Sequence, residues 1–201
     1  MYAGGARTQV LTAAVLFGTT GTAQALGPEL EPIALGAARI VIGAALLALI
    51  AFAAGATRRL PASRRAVLLA GACVAIYQAT FFAALADTGV AVGTVVAIGS
   101  APAFAGLFAR LFAGEVLTLR WALATALACA GVALLVFGGG GAATGDVSTP
   151  GVCLALLSGA GYAGYAVATK RMLASGAEPE PLIAAVFGAG AILLLPVFVL
   201  L

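Results

Sequence analysis

No histidine occurs in these 201 residues, and only 8% of them are charged. Without histidine the commonest metal ligand and general base at neutral pH are missing, and with them most metal and triad chemistry. The charge content is about a third of the ~25% typical of a soluble domain. Three cysteines, Cys73, Cys129 and Cys153, lie far apart inside apolar stretches. They are odd in number and read as small membrane-core residues with no disulfide framework. Seven Asp and Glu are present, none of them inside a long apolar run. A membrane-embedded enzyme would need a base, metal ligands or an acidic pair within a span. Ser100, lacking a base nearby, is not expected to act as a nucleophile, so catalysis is not expected.

What fills the chain is apolar. Hydrophobic residues make up 63%, and the mean hydropathy is +1.16. A membrane span needs about 20 apolar residues. Seven segments qualify, at roughly 9–26, 33–54, 66–86, 89–109, 120–138, 150–169 and 182–201. The expected fold is therefore all-α and integral to the membrane, a bundle of seven transmembrane helices. Ala23-Gln24-Ala25 resembles a signal-peptide cleavage site after Arg7 and an apolar run. The run is long, its basic flank is a single arginine, and further spans follow, so it is expected to stay as the first span.

Positive charge orients such a chain. With the N-terminus cytoplasmic, the inner loops hold Arg7, Arg58, Arg59, Arg64, Arg65, Arg110, Arg120, Lys170 and Arg171, which is every basic residue except Arg39. The outer loops hold Glu29, Glu31, Asp87 and Asp146 and no basic residue. The net charge of +3 thus sits in short inner loops and does not point to nucleic acid.

The fourth segment is unusual. Gly89, Gly93, Ala97, Ala101, Ala105 and Ala109 recur at every fourth position. Such a ridge lets another helix backbone come close in lipid, although an alanine-rich chain also produces ridges by composition alone. Pro102 lacks an N–H, which frees the Ile98 carbonyl one turn back. In hydrocarbon a freed carbonyl must face protein or a watery cavity.

A weak internal repeat is also visible. Leu11–Leu49 echoes Leu154–Val199: each has a Gly-rich span, followed by a Glu-Pro (Glu31-Pro32, Glu180-Pro181) opening the next. The copies begin five spans apart, and an odd number forces opposite topology, the mark of an inverted-repeat transporter. On this reading residues 1–141 are a first repeat of five spans and residues 142–201 the first two spans of a second. The glycine run Gly138–Gly141 links them. The chain is expected to be a C-terminally truncated part of a ten-span protein.

The run Tyr77-Gln78, Phe81-Phe82, Ala84-Leu85 and Thr88-Gly89-Val90, then Ser100-Ala101-Pro102, Gly114-Glu115, Leu117-Thr118, Gly131-Val132 and Leu134-Leu135, resembles the EamA-type drug/metabolite transporter family. Phe17-Gly18-Thr19 and Arg39 are similar to it as well. The resemblance implies a ten-helix fold of two five-helix inverted repeats. It also implies export of small metabolites, amino acids or drugs by alternating access in the cell membrane. No cofactor is expected. The expected partners are a small-molecule substrate and the lipid bilayer, with a second copy of the chain as a further arrangement. The alternative is a non-transporting structural membrane protein or an inactive fragment.

Transporter sites lie near the bilayer midplane. At ~1.5 Å rise per residue, the span centres fall near Thr19, Tyr77 and Gln78, Ser100, and Tyr162. The candidate cavity residues are Thr19, Arg39, Tyr77, Gln78, Ser100, Pro102, Tyr162 and Tyr165. The tyrosines would stack on or hydrogen-bond a substrate, and Gln78 and Ser100 would orient it. Arg39 is the one charge inside a span, and such residues are functional candidates by default. It is also near enough to the outer end to snorkel. Glu115, between Arg110 and Arg120, reads first as a salt-bridge partner or cap, and Trp121 as an interface anchor.

Overall fold

The computed structural model describes residues 8, 11–16, 18–19, 32–53, 55, 63–138 and 148–200. The chain divides into two units, residues 1–30 and 31–201. In the first unit, residues 11–16 and 18–19 are helical and fall within the first expected span. The Ala23-Gln24-Ala25 motif, Arg7, Phe17, Glu29, Arg58, Arg59, Asp146 and the glycine run beyond Gly138 lie outside the described residues.

Among the described residues, the second unit contains six helices: α1 Pro32–Ala53, α2 Arg64–Thr88, α3 Val90–Ala113, α4 Leu119–Gly138, α5 Thr149–Ala174 and α6 Pro179–Leu200. They coincide with the second to seventh expected spans, and no strand occurs among the described residues. Among the described residues, four stretches are long and apolar enough to cross a membrane: α2, α3, α5, and Pro179–Pro196 of α6. Ala38–Ala53 of α1 and Leu119–Leu134 of α4 are shorter apolar stretches. This is a multi-pass helical membrane protein.

The helix ends run past the apolar segments because hydrogen bonds, not hydropathy, end a helix. Ser63 caps α2, its Oγ accepting from the Ala66 N–H at 3.2 Å, so Arg64 and Arg65 are already helical. Ser148 caps α5 in the same way toward the Gly151 N–H. At the other end α5 carries Lys170 and Arg171 in its last turns before Gly176 turns the chain at φ +96°. There the Ala177 N–H bonds the Met172 carbonyl and the Gly176 N–H bonds the Leu173 carbonyl, the double bond pattern that closes a helix on a left-handed residue. Gly89 alone separates α2 from α3, at φ +78°, which a side chain would oppose.

α5 lies against both α2 and α3, while α6 lies against α1 and α2. The consecutive helices α5 and α6 touch each other only slightly, and α4 packs on α3. Gly151 at the start of α5 rests on Asp87 and Thr88, and Lys170 near its end meets Glu115 after α3. α5 is therefore parallel to α3 and antiparallel to α2.

Lipid tails are as apolar as leucine, so close van der Waals contact, not burial from water, holds such helices together. The small-residue ridge of α3 supplies it: Gly93, Ala97, Ala101 and Ala109 are buried, with Ala105 partly so. A β-carbon at Gly159 of α5 would lie 2.7 Å from the Ala97 carbonyl oxygen. The backbones of α3 and α5 therefore touch. A second seam joins α2 and α6, where Gly71 meets the Gly190 N–H and the Val186 carbonyl. Trp121, expected at the membrane interface, lays its ring on Gly106 and so ties α4 to α3.

Candidate functional site

The aromatic residues expected at mid-span come together. Tyr77 of α2 stacks on Tyr165 of α5 with ring centroids 5.9 Å apart and planes at 25°. Its edge meets Tyr162 at 5.8 Å, and Tyr162 meets Tyr165 edge-on at 5.1 Å. Tyr162 and Tyr165 share a face because they are three residues apart on one helix. Phe187 of α6 extends the cluster, edge-on to Tyr165 at 5.8 Å. Each such pair contributes about 0.5–1.5 kcal/mol beyond area burial. Tyr162 is 41% exposed, so the cluster opens on its side.

The backbone of α5 makes this possible. Gly161 lies so close to α2 that a β-carbon there would sit 3.0 Å from both the Tyr77 nitrogen and the Cys73 carbonyl oxygen. One turn earlier, the Ser158 hydroxyl donates to the Tyr77 carbonyl at 3.0 Å, and Ser158 is buried. Residue-by-residue reading missed both Ser158 and Phe187. Phe187 stands near the middle of its span and was open to the same midplane estimate as the tyrosines. Ser158 opens a Ser-Gly-Ala-Gly run, a small-residue signature for close helix contact. Ser158→Ala should lower stability by about 0.6–1.7 kcal/mol, the range for a hydrogen bond between membrane helices. Thermal unfolding in detergent would check this, and an unchanged midpoint would show that the bond is not coupled to the fold.

Arg39 faces α2, with its guanidinium 5.9 Å from the centroid of the buried Phe82 ring. An exposed pair of this kind is worth about 0.5–1 kcal/mol. Gln78 is buried, and its carbonyl faces Gly36 of α1. It therefore stands beside Tyr77 in sequence but at the α1–α2 seam.

Ser100 is buried against Gly159, and its hydroxyl donates to the Ala97 carbonyl at 3.2 Å. On its other side it borders an apolar pocket of about 320 Å³ with Val96, Gly99, Cys129, Val132 and Val152. Pro102 stands inside a continuous α3, exposed, as is Ile98 one turn before it. Thr19, in the first unit, donates to the Leu16 carbonyl at 2.8 Å. Of the eight sequence candidates, then, Tyr77, Tyr162 and Tyr165 form one cluster. Arg39 lies over Phe82 and Gln78 at the α1–α2 seam, and Ser100 lies at the α3–α5 seam.

Glu115 pairs with Lys170 at 2.7 Å, not with the nearer arginines in sequence. The pair joins the loop after α3 to the last turns of α5. Both side chains are well exposed, so Glu115→Gln should shift stability by less than ~1 kcal/mol. A thermal midpoint lowered by many degrees would contradict that.

Residues 8–137 match the EamA-like transporter family. Over 191 residues the chain is 43% identical to the "Uncharacterized transporter YwfM" of Bacillus subtilis (strain 168). That match covers 93% of this chain and 62% of the relative, so the chain spans less than two thirds of that protein's length. No solved structure gives a significant match. The family and the relative's name support a transporter over an enzyme.

Proposed function

Because this chain belongs to the EamA-like transporter family, we propose that it exports small metabolites, amino acids or drugs across the cell membrane by alternating access. The observation that carries this reading is the ring cluster. It joins Tyr77, from the proposed first repeat at residues 1–141, to Tyr162, Tyr165 and Phe187, from the proposed second repeat beginning at residue 142. A site at the boundary between repeats, level with mid-span, is where alternating access needs its substrate. Apolar walls with a few placed polar groups suit a small molecule. Here the phenol hydroxyls of Tyr77, Tyr162 and Tyr165 supply the polar groups.

The N-terminus is assigned to the cytoplasm. Arg64 and Arg65 start α2, Arg110 ends α3, Arg120 starts α4, and Lys170 and Arg171 end α5. The helix directions bring these termini to one end of the bundle. Asp87 and the start of α5 share the other end. This segregation supports a basic cytoplasmic face.

The test is efflux from proteoliposomes containing the purified chain and loaded with labelled amino acids or organic dyes. The chain should release at least one of them. The double change Tyr77→Ala with Gln78→Ala should slow release about tenfold, equivalent to ~1.4 kcal/mol, at equal protein incorporation. Release unchanged by the double change would remove the cluster from the substrate path. No release of any compound would favour a non-transporting membrane protein.

A further inference from the structure

A groove of about 450 Å³ lies between the end of α3 and the end of α5, away from the ring cluster. Its walls are Phe112, Ala113 and Glu115 on one side and Val167, Lys170, Arg171, Ala174 and Ser175 on the other. We propose that this groove holds one anionic glycerophospholipid, its phosphate on Arg171 and Lys170 and an acyl chain against Phe112.

Three observations converge. The first is charge. Lys170 is matched by Glu115, whereas Arg171 has no acidic partner within 4 Å among the described residues. The groove therefore carries one uncompensated positive charge, equal and opposite to a phosphodiester. The second is the backbone. A helix C-terminus ordinarily repels an anion through its free carbonyls. Here the Arg171, Met172 and Leu173 carbonyls already accept bonds from the Ser175, Ala177 and Gly176 N–H groups. The Ser175 hydroxyl also turns inward to the Met172 carbonyl at 2.8 Å. The third is the apolar wall. Phe112 is 62% exposed. It heads a ladder of rings, with Phe108 at 5.9 Å and Phe104 at 6.2 Å beyond it, running along α3 into the membrane. A cation at the surface beside a ring ladder that descends into hydrocarbon matches a lipid, headgroup and tail together. Inorganic phosphate alone would leave the ladder unused.

Basic residues near a membrane surface contribute about 1 kcal/mol each to anionic lipid binding, or roughly fivefold. The experiment is native mass spectrometry of the delipidated chain titrated with phosphatidylglycerol, phosphatidylcholine or inorganic phosphate. Phosphatidylglycerol should bind at one site. Arg171→Gln should weaken it about fivefold and Arg171→Lys little. Phe112→Ala should also weaken it, while Arg64→Gln, at the same end but outside the groove, should not. Helix content by circular dichroism identifies any variant that has lost its fold. The proposal fails if Arg171→Gln binds as well as the wild type, or if Arg64→Gln weakens binding equally, which would mean diffuse surface charge. Equal binding of phosphatidylcholine, or occupancy by inorganic phosphate alone, would overturn it too.

Discussion

Leucine in place of Gly71 is expected to separate α6 from α2 and leave little folded protein. Any β-carbon at Gly71 would stand 2.6 Å from the Ala189 β-carbon, 3.0 Å from the Gly190 nitrogen and 3.1 Å from the Val186 carbonyl oxygen. Two of those three atoms are backbone and cannot rotate away. Gly190 faces the same seam from the other side, within 3.1 Å of the Gly71 carbonyl oxygen by the same measure, so neither helix has room to yield. Overpacking a core with extra methylenes costs about 1–3 kcal/mol, and more when backbone must shift. Here contact is the main force between the helices, so the upper end of that range is expected. Thermal unfolding in detergent and the monodisperse fraction on size exclusion measure the loss. Gly131→Leu on α4 is the control, since nothing lies within 4 Å of a β-carbon there. If both variants kept the wild-type midpoint, the α2–α6 seam would not be as close as the structure places it.

Gly159→Leu should damage both stability and the candidate site. The new side chain would meet the Ser100 hydroxyl and the Ala97 carbonyl, pushing α5 off α3. On the α2 side, α5 carries the Ser158 bond to the Tyr77 carbonyl and both of its tyrosines. Moving the helix by even an ångström would break a 3.0 Å hydrogen bond and part the stacked rings. A loss of about 3 kcal/mol or more is expected. Gly159→Ala should be intermediate, because its single methyl group faces the same carbonyl with less bulk. Efflux of a transported compound, normalised to folded protein, separates the two effects. The proposed site requires the surviving Gly159→Ala protein to transport more slowly than the wild type. Unaltered efflux per folded molecule would make the seam purely structural.

Much of the bundle was legible before any coordinates. The apolar runs located α1 to α6 within a few residues, because a span's length is set by membrane thickness and its composition by lipid. The four-residue period of Gly93, Ala97, Ala101 and Ala109 marked the buried face of α3. Estimating span centres picked out Tyr77, Tyr162 and Tyr165, whose rings the structure brings into contact. What was not legible was direction around each helix and partners distant in sequence. Ser100 and Pro102, both expected to line the cavity, are two residues apart. Two residues are about 200° apart on an α-helix, and the structure buries one and exposes the other. Glu115 was expected to form a salt bridge or cap, and it does pair, but its partner Lys170 lies 55 residues away, which no local pattern shows.

By itself, the sequence determined that this is a membrane bundle, how many apolar segments it has, and which end carries the positive charge. These follow from one-dimensional quantities: hydropathy, length and charge per loop. Only the tertiary structure decided which helices are partners. α5 and α6 adjoin in sequence, yet α5 makes its close contacts with α2 and α3, and α6 with α1 and α2. The choice lies with Gly71, Gly159, Gly161 and Gly190, where two backbones meet without side chains between them. Every glycine looks alike in a sequence, and its meaning depends on what stands opposite.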